Sequence, residues 1–372
     1  MFRQSASPFA SLAALVLTLV PAAALADDDV DNTVTSAEAE NTALAEADAT
    51  TSAEASAAAA NARFPLTGEV SFSGTAAGGS FVFGEQQRES LDGSLGLSVA
   101  YKIAPALSFS TSLSVSKNLI TNVDSGAVRP YDTQFSDLDL RLAWTPQERG
   151  PKGKMQGYKL PGGFGVGFDL GAALPTSRAS QFQTKLFSLS PGVSLSKTKL
   201  LGGMLTLSYK FVFSKNFHRY TNAVVSDAEL AAVSARPGGA ELLGDGAELA
   251  TSAQNTSFSF RNRLLAAFEF GSHWNAAVSY TLSNGFRYTS VAVDEFSSPH
   301  AIGGRGRSDS QMGIVNLGYN IDKAGVHSLS ASATTISAPF AADNKTFRFP
   351  FFDTRSLSDN YTSVSLSYAR TF

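Results

Sequence analysis

The sequence of 372 residues contains no cysteine. This absence excludes a disulfide framework, a thiolate metal site and a cysteine nucleophile. Histidine is also scarce, with four residues, and no Gly-x-Ser-x-Gly or His-x-x-x-His pattern occurs in the chain. We therefore predict that the protein is not an enzyme, and we predict no metal and no cofactor.

Long apolar runs are missing as well. Beyond the N-terminus no stretch of about 18 consecutive apolar residues occurs, which excludes a membrane protein built from several spanning helices. A membrane β-barrel is still compatible with the sequence, because its strands need only about ten residues each and alternate apolar with polar residues. With 43% hydrophobic and 16% charged residues, the chain is also not disordered over its whole length.

The N-terminus has the pattern of an export signal. Arg3 precedes an apolar run from Leu12 to Val20, and Ala-Leu-Ala at 24–26 comes directly before Asp27. A positive start, a short apolar run and a small-residue cleavage site are typical of a signal peptide, whereas a spanning helix needs roughly 20 apolar residues. We predict that residues 1–26 are a signal peptide that is removed on export.

Residues 27–62 differ in composition from everything after them. They contain nine acidic residues, no basic residue and no aromatic residue, and are mostly Ala, Thr and Ser. Such a stretch cannot bury a core, so we expect a disordered or marginally helical periplasmic segment. It is a spacer, a partner-binding arm or a plug that enters the remaining domain. Residues 63–372 carry 28 basic and 23 acidic residues and are therefore mildly basic.

From residue 63 onward the hydrophobic pattern has a period of two. The clearest segment is 107–116, in which Leu107, Phe109, Leu113 and Val115 share one face and five serines occupy the other. The same alternation recurs along the chain and predicts twelve strands. This pattern predicts an all-β fold. Because many strands have nine to eleven residues, the length that a tilted strand needs to cross a bilayer, we predict a transmembrane antiparallel up-and-down β-barrel over residues 63–372. A secreted β-sandwich is the alternative.

The connections between these strands alternate in length. The intervals 103–106, 197–203, 271–275 and 322–326 are short, whereas 117–134, 215–254, 289–308 and 338–359 are long and polar. Short turns on one side and long loops on the other are typical of an outer-membrane barrel. Residues 146–163 break the alternation, and we interpret them as an elaborated inner turn. Aromatic residues near the short-turn ends predict an interfacial belt of Tyr101, Trp144, Phe270, Trp274, Tyr319, Tyr368 and Phe372.

These features together resemble the porin-like outer-membrane β-barrel proteins of Gram-negative bacteria, over essentially all of residues 64–372. The last strand has Val364, Leu366, Tyr368 and a terminal Phe372, as in that class, but Arg370 stands where the class has an apolar residue or tyrosine. The resemblance implies location in the cell outer membrane after export. It also implies contact with outer-membrane lipid and lipopolysaccharide, and recognition of the last strand by the barrel-assembly machinery.

Strand parity predicts which charged side chains face the lumen. The inward set contains six acidic and six basic residues: Glu69, Asp92, Lys102, Asp137, Asp139, Arg141, Asp169, Lys210, Arg261, Arg263, Glu269 and Arg287. Charges of both signs in a constriction select solutes, so we predict a narrow diffusion channel for small polar or charged solutes. The clusters at 137–141 and 261–263 are the first candidates for solute contact.

Two other interpretations of the barrel remain open. The inward charges could instead pair with one another and fill the interior. The protein would then be a non-conducting structural, adhesive or anchoring barrel that binds partners through its loops or its acidic segment. The aromatic and basic loop at 340–352 suits binding of a ligand or of lipopolysaccharide, or forms a self-packed cap. We predict no nucleic-acid partner, because the Gly-Gly-Arg-Gly-Arg stretch at 303–307 is best interpreted as a flexible loop.

Overall fold

The computed structural model describes residues 66–76, 90–121, 133–149, 155–224, 250–288, 306–322, 325–340, 346–351 and 362–372. The first nine strands are β1 (Leu66–Ala76), β2 (Ser90–Ala104), β3 (Leu107–Thr121), β4 (Thr133–Phe135), β5 (Leu138–Trp144), β6 (Gln147–Arg149), β7 (Met155–Gly157), β8 (Lys159–Leu160) and β9 (Phe164–Leu174). The other nine are β10 (Lys185–Leu200), β11 (Leu205–His218), β12 (Asn222–Val224), β13 (Ala250–Gln254), β14 (Thr256–Phe270), β15 (Trp274–Arg287), β16 (Arg307–Asn320), β17 (His327–Ser337) and β18 (Thr362–Thr371). One short helix, α1 (Arg178–Phe182), lies between β9 and β10.

Twelve of these strands form a closed antiparallel barrel. Around the ring the order is β10, β11, β14, β15, β16, β17, β18, β1, β2, β3, β5 and β9, and β9 pairs again with β10. Each barrel strand is hydrogen-bonded to the barrel strands that precede and follow it in the chain, and β18 pairs with β1, as an up-and-down barrel requires. The predicted fold class and strand number are confirmed. Of the short strands, β12 pairs with β13 and β6 with β7 outside the barrel sheet.

The first and last strands close the ring. β1 pairs with β18 from Glu69 opposite Thr371 to Ala76 opposite Val364. Beyond this ladder, Gly68 and Phe372 exchange two backbone hydrogen bonds of 2.9 Å. The Phe372 ring lies directly over Gly68, where any side chain would collide with it. The C-terminal aromatic residue is therefore part of the closure seam.

The barrel has apolar residues on its outer surface and polar residues in its interior, the reverse of a soluble protein. On β2, Leu95 and Leu97 face outward and are about half exposed, whereas Ser94 and Ser98 face inward and are buried. The same alternation holds along β1, β3, β15, β17 and β18. An apolar surface of this extent is stable only against lipid, since water would not solvate it and the described residues form no second sheet over it.

The turns follow the predicted alternation of lengths. Turns near 105–106, 201–204 and 271–273, together with residues 321–322 and 325–326, lie between strands at one end of the barrel. The irregular interval 146–163 contains the β6–β7 hairpin and β8, which pairs with β9. The side chain of Gln147 donates to the carbonyl of Pro105 (2.7 Å), which ties this hairpin to the neighbouring turn. The elaborated turn is thus a small sheet attached to the short-turn rim.

Part of the loop between β17 and β18 packs against the outer wall. Residues 346–351 lie over Gly313 of β16, whose missing side chain leaves room for the backbone of Pro350. Beside it Gln311, only 1% exposed, donates to the Arg348 carbonyl (3.0 Å) and to Ser337 (3.2 Å). An outward-facing amide is satisfied in this way. The aromatic residues at 346–351 cover the wall of the barrel.

Among the described residues no helix is long and apolar enough to span a membrane. The predicted signal peptide (1–26), the acidic segment (27–62) and residues 303–305 lie outside the described residues. Most of the long interval at 215–254 does so as well.

Candidate functional site: the barrel interior

All twelve charged residues predicted for the lumen lie at inward-facing positions. Glu69, Asp92, Arg261 and Arg263 are buried, and the other eight are partly buried. Glu69, Lys102 and Glu269 lie near the short-turn end of their strands, whereas Asp92, Asp137 and Arg287 lie near the long-loop end. Contact of these residues with a solute stays a prediction.

The remaining six charges lie in the central parts of neighbouring strands. We call them the charged arc: Asp139 and Arg141 on β5, Asp169 on β9, Lys210 on β11, and Arg261 and Arg263 on β14. These strands follow one another around the ring, with β10 as the one intervening strand. The two clusters suggested by the sequence, 137–141 and 261–263, are four strands apart and belong to one side of the barrel. The arc contains four basic and two acidic residues, so its net charge is positive.

Asp169 joins the arc across three strands. Its Oδ2 lies 3.0 Å from the Arg141 guanidinium and its Oδ1 lies 3.3 Å from Lys210 Nζ. Asp169 faces Gly192 of β10 in the register, and a side chain at Gly192 would collide with the Asp169 carboxylate. The glycine therefore leaves the space through which Lys210 on the far side of β10 reaches Asp169.

Like charges also face each other within the arc. Lys210 is directly opposite Arg263 in the β11–β14 register. Directly opposed residues on one face have Cβ atoms about 5 Å apart, and like charges at that distance repel. Lys210 and Arg263 therefore place two positive charges side by side on this face of the wall, with Asp169 paired to Lys210.

The other side of the barrel is lined mainly by hydroxyl groups, and the buried Met312 and Ile314 of β16 are apolar exceptions. We call it the hydroxyl wall, formed by buried residues of β15, β17, β18, β1 and β2: Ser279, Thr281, Ser283, Ser328, Ser330, Ser332, Thr334, Ser363, Ser365, Ser367, Ser71, Ser73, Thr75, Ser94 and Ser98. Neighbouring strands pair through them, as in the 2.5 Å contact between Ser332 Oγ and Ser365 Oγ. The ring order places β1 opposite β11 and β2 opposite β14. The positive arc thus faces hydroxyl groups and the two carboxylates of Glu69 and Asp92.

Exposure differs between the two sides of the interior. Inward residues of the hydroxyl wall are buried, whereas Ser110, Gly167, Ser194 and Lys210 on β3, β9, β10 and β11 are partly exposed. These positions are in the half of their strands that leads to the short-turn end. The partly exposed inward positions therefore lie on β3, β9, β10 and β11, beside Asp169 and Lys210, whereas Arg261 and Arg263 of β14 are buried.

Asp137 holds a loop. Its carboxylate accepts from the Ser177 backbone (2.9 Å) and the Ser180 hydroxyl (2.5 Å), and lies 3.4 Å from Lys185 Nζ. The Ser177 side chain caps α1 by accepting from the Ser180 backbone. Asp137 thus connects β5 with the helix-containing connection between β9 and β10.

Parity from the sequence missed Lys185, which is only 7% exposed and ion-paired inside the barrel. The cause is a register shift between Lys185 and Phe187. One extra residue in a strand moves all side chains beyond it to the other face. The inward amides of Asn216, Asn275 and Asn316 were also missed, because an uncharged residue inside an alternating strand gives no separate signal.

The predicted aromatic belt lies at the short-turn ends of the strands. Six of its members are more than one third exposed, among them Trp274 at 50% and Phe372 at 68%. Trp144 stacks on Phe168 with ring centroids 5.4 Å apart, and Trp274 lies 4.8 Å from Tyr319. Amphipathic rings in such a band fit the membrane–water interface, although anchoring by these residues stays a prediction.

No protein-family model matches the chain, and no curated protein matches it. Solved structures with a similar fold include an outer membrane channel from Pseudomonas putida F1, at a TM-score of 0.49 and 10% identity, covering 84% of this chain and 97% of that one. The NanC porin has a TM-score of 0.41 and 12% identity, covering 82% and 98% of the two chains. The KdgM porin has a TM-score of 0.37 and 8% identity, covering 82% and 99%.

The closed ring of twelve antiparallel strands, with an apolar outer surface and a polar interior, defines a porin-like outer-membrane β-barrel. The similarities to solved structures, at 8–12% identity, concern the fold alone.

Proposed function

We propose that the protein is a narrow diffusion channel of the outer membrane for small polar or charged solutes, with a preference for anions. The observation that supports this proposal is the charged arc in the middle of the barrel, opposite a wall of hydroxyl groups. Hydroxyl groups can replace water around a passing solute, and opposed charges orient it.

The preference for anions follows from the charges of the arc. Four basic and two acidic residues give a net charge of +2, and Asp169 is shared between Arg141 and Lys210. A passage lined by low-dielectric walls focuses such a field and raises the local concentration of counter-ions. We expect small anions to be enriched in the centre of the passage.

The size of the barrel supports a narrow passage. Eight strands leave an interior filled by side chains, and 16 to 18 strands leave an aqueous pore, so a ring of twelve strands lies between these cases. The burial of the hydroxyl wall, and of Arg261 and Arg263, further restricts the free space to the side of β3, β9, β10 and β11.

The remaining parts of the proposal concern export and orientation. Residues 1–26 direct export and are removed, the last strand is recognised by the barrel-assembly machinery, and the long loops face the cell exterior. The acidic composition of residues 27–62 is complementary to the positive arc. We therefore include this segment as a variable in the test of conduction.

The test is the reversal potential of the folded protein in a planar bilayer under a KCl gradient. Arg261→Ala combined with Arg263→Ala removes two positive charges from the arc. We expect the wild type to prefer chloride and the double variant to shift toward potassium. The control is Lys197→Ala combined with Arg370→Ala, which removes two outward-facing positive charges and should leave the reversal potential unchanged.

Two results would contradict the proposal. An unchanged reversal potential in the arginine variant would exclude the arc as the selective element. Absence of conductance from both the full chain and a variant lacking residues 27–62, despite correct folding and insertion, would exclude a channel and favour a structural or adhesive barrel.

A further inference from the structure

A row of basic and aromatic side chains crosses the outer surface of four adjacent strands. We call it the basic-aromatic row: Lys215 on β11, Phe258 on β14, Phe286 on β15 and Arg307 on β16. Each residue is directly opposite the next in the strand registers. All four share the face of the exposed Leu207, Leu264, Val278 and Val315 on the same strands, so the row points away from the barrel interior.

The contacts within the row form a continuous series. The Phe258 and Phe286 rings stack with centroids 4.8 Å apart and an interplanar angle of 11°. Lys215 Nζ lies 6.0 Å from the Phe258 centroid and 5.3 Å from that of Tyr288. Arg307 Cζ lies 5.6 Å from the Phe286 centroid at the other end. Two cations are thus held at the two ends of a rigid aromatic pair.

The polar partners of the two cations leave a net positive charge. Lys215 Nζ donates to Ser257 Oγ (2.6 Å), and no carboxylate of the described residues is ion-paired with it. Arg307 Nε donates to Asp309 Oδ1 (2.8 Å), which also accepts from Asn284 (2.7 Å). The Arg307 side chain is nevertheless 55% exposed. Counted over the described residues, two cations and one carboxylate give the row an excess of one positive charge.

The position of the row indicates what it contacts. Lys215, Phe286 and Arg307 lie near the long-loop ends of their strands, at the rim opposite the aromatic belt. Aromatic and basic residues at the rim of a membrane protein lie at the depth of the lipid headgroups. A basic residue there attracts anionic lipid.

The spacing of the two cations further restricts the ligand. Adjacent strands are about 4.8 Å apart, so cations separated by three strand steps are roughly 14 Å apart at their Cα atoms. We propose that the basic-aromatic row binds the headgroup of an anionic lipid of the outer leaflet that carries two phosphate groups, one at each cation. This inference rests on the proposed orientation with the long loops outside, and it is independent of conduction.

The opposite rim offers a matched control. There Lys197 Nζ lies 5.0 Å above the Phe164 ring, in the same kind of contact but at the short-turn end. On the neighbouring strand β11 the residue opposite Lys197 is Leu207. On the other side, the β9 residue opposite Leu195 is Val166. At these positions no second cation lies beside Lys197. Lys197 should therefore not contribute to recognition of a lipid with two phosphates.

The experiment is native mass spectrometry of the full-length protein in neutral detergent micelles with added diphosphoryl lipid A. Monophosphoryl lipid A, phosphatidylcholine and inorganic pyrophosphate are the comparison probes. We expect one diphosphoryl lipid to be retained in preference to the others. Lys215→Gln and Arg307→Gln should each weaken this retention about fivefold, and together more strongly, whereas Lys197→Gln should leave it unchanged.

Several outcomes would overturn the proposal. Unchanged retention in the double variant, or an equal loss in Lys197→Gln, would show that the row is not the site. Equal retention of phosphatidylcholine would indicate adsorption to the apolar wall, and displacement by pyrophosphate would indicate a site for free phosphate. Conductance of the double variant separates this question from the proposed function, since its residues face outward and should leave ion selectivity unchanged.

Discussion

At the scale of single residues, Asp137 shows that an inward charge can stabilise a loop. It accepts two hydrogen bonds from the connection that contains α1 and lies next to the buried Lys185. From the sequence, Asp137 was indistinguishable from Asp139 and Arg141, because parity reports the face of a residue and not its partners. The hydrogen bonds to Ser177 and Ser180 join residues about 40 positions apart, and no local sequence pattern predicts them.

The role of Asp137 predicts a stability effect. Asp137→Ala removes the ion pair with the buried Lys185 and the acceptor of two hydrogen bonds, so we expect a loss of roughly 3 kcal/mol of stability. Ser180→Ala removes a single donor and should cost about 1 kcal/mol. Equilibrium unfolding in urea with folded lipid-bound protein measures both values. Equal stability of Asp137→Ala and the wild type would show that this network does not hold the loop.

At the scale of the strand, alternation was sufficient to predict most of the fold. In β3 every second residue from Ser108 to Ser116 faces inward, and the outward positions are mostly apolar. The physical reason is that lipid on one side and a polar interior on the other impose a period of two on most of the chain, with apolar Met312 and Ile314 facing inward on β16 as exceptions. The prediction failed in β10, where the register shift after Lys185 reverses the parity. A bulge depends on pairing with β11, which the sequence of β10 alone does not contain.

The loop over β16 was likewise only partly predictable. Its aromatic and basic composition suggested either a ligand site or a packed cap, and residues 346–351 pack against the wall over Gly313. The fit depends on the absence of a side chain at Gly313 and on the bonds of Gln311 to Arg348 and Ser337. From the sequence alone, an outward-facing glycine that is covered by a loop cannot be distinguished from one that contacts lipid.

The closure seam between β1 and β18 provides a prediction at this scale. Gly68→Val would force the Phe372 ring away from β1, because the ring occupies the position of the new side chain. We expect the denaturation temperature, measured by the heat-dependent shift in SDS gels, to fall by several degrees. Gly74→Val lies on the same face of β1 with nothing within 4 Å of its Cβ, and serves as the control. A shift of equal size in both variants would contradict the proposed role of the seam.

At the scale of the whole molecule, the interior is divided into a positive side and a hydroxyl side. The sequence supplied the inward residues, and the up-and-down order of consecutive strands places β5, β9, β11 and β14 on one side of the ring. The strand patterns could not predict which side chains pair there, because the ion pair of Asp169 with Lys210 reaches across β10. The proposed selectivity depends on this division.

The most direct test of a conducting interior uses the absence of cysteine in the chain. Ser194 faces inward, directly opposite Lys210 in the β10–β11 register, and the next residue, Leu195, faces outward. Ser194→Cys and Leu195→Cys variants would be inserted into planar bilayers and treated with a water-soluble methanethiosulfonate reagent. The account predicts that the reagent lowers the single-channel conductance of Ser194→Cys and leaves that of Leu195→Cys unchanged. Conductance that is insensitive to modification at Ser194, with labelling confirmed by mass spectrometry, would contradict a solute path along the charged arc.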